Sequence, residues 1–77
     1  MQSIHSPEYK VFLKRLRECR QAKRMTQAQV AKALGKPQSF VSKIESGERR
    51  LDPMELKALA KLYGVSVDRL LGHGKSQ

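Results

Sequence analysis

The 77-residue chain holds one cysteine, Cys19, so neither an intramolecular disulfide nor a multi-cysteine metal site can form. Its apolar runs are a few residues long, far below the roughly 20 that span a bilayer as a helix. The opening MQSIHSPEYK lacks the apolar centre of a secretion signal. Histidine occurs only at His5 and His73, in the terminal stretches, so a hydrolase triad has no placed base. The H-E-x-x-H, P-loop and G-x-G-x-x-G signatures are absent. The seven acids are scattered among sixteen Lys/Arg as helix caps and surface pairs. These absences argue against an enzyme, and neither a cofactor nor a metal is expected.

What the chain has in excess is positive charge. The net formal charge is +9 and the pI is near 10.2. Residues 1–50 carry twelve Lys/Arg against four Asp/Glu, a net +8; residues 51–77 carry four against three, a net +1. An excess of this kind is a solvated face in most proteins. Concentrated in one half, it also suits a polyanion partner steered by the field. The length allows one small domain with a marginal core.

The stretch Thr26–Glu45, TQAQVAKALGKPQSFVSKIE, organises the chain. Thr26 reads as an N-cap, because its hydroxyl can accept from a backbone N–H one turn in. Val30, Ala31 and Leu34 then share one face at helical spacing. Gly35 can end that helix in the left-handed conformation, and Pro37 fits the first turn of the next. In the second helix Val41 and Ile44 point inward, while Ser39, Ser42, Lys43 and Ser46 point the other way. A short, polar and basic outward face suits a DNA major groove.

Around this pair the chain reads as further helices. Residues 1–6 form a tail. Ser6-Pro7-Glu8 starts a helix to about Lys23, with Phe12, Leu16 and Cys19 as its apolar stripe and Tyr9 and Leu13 alongside. Cys19 is read as a small core residue. Met25 fills the corner, and Gly47 ends the third helix. Asp52-Pro53 opens a fourth, whose apolar face is Leu56, Leu59, Ala60 and Tyr63, and Gly64 stops it. Ser66 caps a short fifth helix, Val67 to Leu71. Residues 72–77 read as a second tail, leaving 7–71 as the domain. The expected fold class is all-α, a compact bundle of five helices.

The central pair resembles the helix-turn-helix of the Cro/CI-type (XRE) family, the lambda-repressor-like domains. The matching residues are Gln27 after a Thr, Ala31, Leu34–Gly35, Gln38–Ser39, Val41–Ser42, Ile44–Glu45 and Gly47, and the resemblance runs from about Leu16 to Leu71. Two positions depart from the usual pattern at the entry to the third helix. Lys36 stands where an apolar residue is common, and Pro37 where a Ser or Thr cap is common.

The resemblance implies a sequence-specific, double-stranded DNA-binding transcription regulator, a cytoplasmic repressor. It also implies a partly buried ion pair between Arg20 and Glu45, tying the first helix to the recognition helix. Gln27, at a helix N-terminus that favours a phosphate, would bind the DNA backbone. So would Arg49 and Arg50 in the loop after the third helix. Gln38 would pair with adenine, Lys43 would reach guanine, and Ser39 could serve either base type. Ser42 and Ser46 would support at the backbone, and Phe40, half-buried, would turn an edge to the DNA. Reading a whole site asks for a homodimer on an inverted repeat, with recognition helices about 34 Å apart. Val67, Leu70 and Leu71, together with Met54, offer an apolar surface for it in the nearly neutral half. The rival readings are an antitoxin-type module whose main partner is a protein, and a non-specific nucleic-acid packager.

Overall fold

In the computed structural model, which describes residues 6–72, five helices follow one another: α1 Pro7–Ala22, α2 Gln27–Leu34, α3 Gln38–Ser46, α4 Pro53–Tyr63 and α5 Val67–Leu71. Their starts are written locally. Ser6 Oγ accepts the Tyr9 N–H at 3.2 Å and Pro7 takes the first turn of α1. Thr26 and Gln29 form a reciprocal capping box on α2, Asp52 and Glu55 another on α4, and Ser66 caps α5. Ser6 caps α1 as the Ser6-Pro7-Glu8 start predicts, whereas Gly72, assigned from sequence to the C-terminal tail, is the C-cap of α5. Positions 1–5 and 73–77, the rest of both tails, lie outside the described residues.

The ends of α1 and α3 needed more than propensity. α1 closes with Met25 N–H on the Arg20 carbonyl and Arg24 N–H on the Gln21 carbonyl, a pattern that puts one residue in the left-handed region. That residue is Arg24, at φ 59°, where glycine is the usual occupant. The Arg20 guanidinium locks the turn from behind, since Nη1 donates to the Met25 carbonyl at 2.9 Å. Pro37 stands at the N-cap of α3, one place earlier than its expected position, with φ −69° and ψ 155°. A proline ring cannot cap, so α3 begins with no side-chain hydrogen bond at its N-terminus. Gly35, at φ 69°, makes the turn between α2 and α3.

The core is shared by all five helices. Phe12, Leu13 and Leu16 come from α1, Val30 and Ala31 from α2, Phe40, Val41 and Ile44 from α3, Leu59, Ala60 and Tyr63 from α4, and Leu70 from α5. Leu16, Val30, Ile44 and Leu70 are almost wholly sealed, and each such side chain stabilises the fold by about 1.5–3 kcal/mol. α3 packs against α2 and α1, and α5 bridges α1 and α4.

This packing corrects two expectations. Leu70 is 0% exposed, so it closes the monomer core and is not available to a dimer interface. Val67 is half-buried against the same core; of the four residues assigned to that surface, only Met54 and Leu71 stand exposed. α5 uses Leu70 and part of Val67 to close the core, which leaves Leu71 as its one exposed apolar position. Phe40 is also deeper than expected, with 8% of its surface exposed. Helical phase puts it off the inward direction, but the cations of the neighbouring turns fold over its ring.

Candidate nucleic-acid interface

α3 separates its two faces cleanly. Phe40, Val41, Ile44 and Glu45 are buried, whereas Gln38, Ser39, Ser42, Lys43 and Ser46 are exposed. The outward face therefore carries a long amide, short hydroxyls and an ammonium, the side-chain types that hydrogen-bond to base edges in a major groove. The Ser46 hydroxyl is already engaged, 3.2 Å from the Lys43 carbonyl and 3.1 Å from Glu48 Oε2. A carboxylate at that distance opposes a phosphate, so Ser46 is a poor backbone contact and acts in the end of α3.

The orientation of α3 is set by a buried fork. Arg20 Nε donates to Glu45 Oε2 at 2.7 Å and Nη2 to Oε1 at 3.0 Å. The side chains are 11% and 6% exposed. The hydrogen bond to Glu45 is the main reason the Arg20 guanidinium is held above its ordinary pKa, against the opposing effect of burial. At Tyr63 burial acts in the other direction and pushes the hydroxyl up, because it disfavours the charged form of either group. Among the described residues, no buried side-chain polar atom lacks a partner, so the charge of the pair is fully met.

Gln27 joins the same group: its Nε2 donates to Glu45 Oε1 at 3.0 Å. The first residue of α2 is thereby tied to the last turn of α3. Sequence reasoning assigned Gln27 to a phosphate and missed this hydrogen bond. The two residues lie 18 positions apart, and nothing local signals their meeting.

Past α3, the loop folds back on the bundle. Arg49 Nη1 and Nη2 reach Glu55 Oε1 and Oε2 at 2.8 and 3.0 Å, and Nη1 also donates to the Arg50 carbonyl at 3.0 Å. Its guanidinium carbon lies 4.8 Å from the centre of the Phe40 ring, and the Lys36 ammonium 5.3 Å from the same centre. These cations replace the DNA-facing edge expected of Phe40, which is not a candidate backbone contact. Arg50 sits 5.5 Å over the Tyr9 ring, and the Tyr9 hydroxyl accepts the Leu51 N–H at 3.4 Å. Glu55 is the functional neighbour that sequence reasoning missed. Its signal was the Asp52-x-x-Glu55 spacing of a capping box. The hydrogen bond from Arg49 is the main cause that draws the Glu55 carboxyl below its ordinary pKa.

Among the described residues there is no cluster of three or more His, Cys, Asp or Glu able to hold a metal ion, and no helix is long and apolar enough to cross a membrane. The basic side chains Lys36, Lys43, Arg49 and Arg50 lie before, within and after α3. Helix-to-groove insertion with flanking cations for phosphates is the chemistry this arrangement supports.

A helix-turn-helix family model matches residues 16–70. The chain is 36% identical over 62 residues to an uncharacterized HTH-type transcriptional regulator, YobD, of Bacillus subtilis, covering 80% of this chain and 55% of that protein. It is 35% identical over 60 residues to the HTH-type transcriptional activator BcrR of Enterococcus faecalis, covering 78% of this chain and 29% of that one. The chain thus spans about half the length of the first relative and under a third of the second. A solved XRE-family like protein from Pseudomonas syringae superposes with a TM-score of 0.80 at 43% identity, over 90% of this chain and 84% of its own. With the helix-turn-helix, its outward polar face and its sealed core accounted for, the chain belongs to the XRE family of helix-turn-helix DNA-binding domains.

Proposed function

We propose that the protein is a sequence-specific, double-stranded DNA-binding transcription regulator that inserts α3 into the major groove. The observation that carries this reading is the two-faced α3: Gln38, Ser39 and Lys43 stand exposed over a buried Phe40, Val41 and Ile44. In this reading Gln38 and Lys43 contact base edges, Ser39 and Ser42 assist, and Gln27, Arg49 and Arg50 meet phosphates. Occupancy of a site that overlaps a promoter excludes polymerase, so repression is the sign that this mechanism supplies unaided. Chromosomal DNA as the target implies a cytoplasmic, nucleoid-bound protein.

The working unit is a twofold dimer on an inverted repeat, because one recognition helix reads too few base pairs to select a genomic site. With Leu70 in the core, the apolar residues left for that contact are Leu71 and Met54, 42% and 68% exposed.

Selection of bound sites from a random duplex pool tests both statements. The sites should be inverted repeats with half-site centres about 10 base pairs apart. Gln38→Ala and Lys43→Ala should each relax preference at particular base pairs by roughly 1–3 kcal/mol. Leu71→Glu should remove cooperative occupancy while leaving the fold intact. A pool that converges on no sequence would sink the reading, and one that converges on a single unrepeated half would sink the dimer.

A further inference from the structure

Arginine presents two bidentate donor edges: an end edge shared by Nη1 and Nη2, and a side edge shared by Nε and Nη2. At Arg49 the end edge is filled by the two Glu55 oxygens, and the second Nη1 hydrogen by the Arg50 carbonyl. Three of the five N–H groups are thus used, and the two that remain lie together on the side edge. The carboxylate that holds Arg49 is itself held, since Glu55 Oε1 also accepts the Asp52 N–H at 3.0 Å in the first turn of α4. The guanidinium lies over Phe40, which is fixed in α3. Arg49 is therefore tethered to α4 through Glu55 and to α3 through Phe40, although it belongs to a loop.

The geometry points to Glu55, with Phe40 beneath, as the positioning residue that holds Arg49 with its side edge open to take two oxygens of one DNA phosphate. This rests on the reading of α3 as the groove helix, beside which Arg49 stands. The side edge of an arginine matches a phosphate bidentately, which a lysine cannot do. An arginine already ordered avoids the side-chain entropy that a loose one loses on binding. Glu55 lies behind the guanidinium on the end edge, so it supports the contact while touching no DNA.

The test is to titrate a duplex carrying the selected site against wild type, Glu55→Gln, Arg49→Lys, Arg49→Ala and the double variant Glu55→Gln/Arg49→Ala, each at several salt concentrations. Gln keeps an acceptor for the Asp52 N–H but turns an amide donor toward Arg49, so α4 stays capped while the fork breaks. Glu55→Gln should weaken binding roughly three- to tenfold, the size of one charge-assisted contact, and add no loss on top of Arg49→Ala. Arg49→Ala should lower the salt slope by about one unit. Arg49→Lys should keep that slope but lose most of the affinity that the fork supplied. Tighter or unchanged binding by Glu55→Gln would overturn the proposal while the groove reading stands, as would an equal loss with and without Arg49. Arg49→Ala with affinity and slope unchanged would do the same. Wild type without sequence preference would overturn both.

Discussion

The protein contains two Arg–Glu forks that look alike on paper and differ in what their surroundings let them do. Arg20 and Glu45 meet through the side edge of the guanidinium, Nε and Nη2, at 11% and 6% side-chain exposure. The third nitrogen of Arg20 goes to the Met25 carbonyl, and Glu45 also takes Gln27. Arg49 and Glu55 meet through the end edge, at 42% and 16% exposure. The first fork is almost wholly removed from water and spreads its bonds over three nitrogens of Arg20; at Arg49 the guanidinium stands far more in solvent, with Nε making no hydrogen bond. Desolvation makes the first an all-or-nothing joint, because a lone charge left behind has nowhere to find water. Solvent makes the second weak as a source of stability and useful as a presented donor.

Breaking each fork should separate the two most strongly. Glu45→Ala leaves the Arg20 charge largely buried and should cost on the order of 1–3 kcal/mol of stability, from lost charged hydrogen bonds. Glu55→Gln should move the denaturant midpoint far less. Equal midpoint shifts would mean that burial does not distinguish the two forks.

A second way to sharpen the contrast is salt. The Debye length shrinks to about 3 Å at 1 M ionic strength, which screens exposed pairs and hardly touches buried ones. The stability gap between wild type and Glu55→Gln should close as sodium chloride is raised, while the gap to Glu45→Ala should persist. Thermal melts of the three proteins across a salt series measure this. A Glu45 gap that collapses with salt would show that water reaches the joint.

The smallest expected effect is in acid. Arg49 holds the Glu55 carboxyl below its ordinary value in the folded state. A carboxyl with a lowered folded pKa binds fewer protons folded than unfolded, so its contribution is complete above the unfolded value, about 4.3. It is lost as the pH falls through the lower folded value. The stability gap between wild type and Glu55→Gln should therefore narrow below about pH 4.3. Denaturant unfolding at a series of acidic pH values, at constant salt, would show it; a gap that does not change with pH would mean that the pair is not maintained in solution.

What the sequence determined by itself is what neighbours in the chain can decide. Ser6, Thr26, Asp52 and Ser66 each cap a helix by accepting an N–H three residues on. The left-handed turn at Gly35 needs only a residue without a Cβ. The inward and outward faces of α3 follow from its period, so the five helices and the exposed polar face of α3 were legible. Tertiary structure decided wherever the partner is distant. Glu45 meets Arg20 across 25 residues and Gln27 across 18. The first meeting had been expected from resemblance alone and the second from nothing. Arg24 takes a left-handed conformation behind which the Arg20 guanidinium is anchored. Leu70 is core because α5 packs against both α1 and α4, which are distant from it in the chain or turn back onto it only after folding. Periodicity tells which side of a helix is apolar, but not whether its own chain or a second molecule covers that side. Arg49 is the clearest case. Its charge was legible, but which of its edges stays open depends on Glu55, Phe40 and a carbonyl that meet only after the loop has folded back onto α3 and α4.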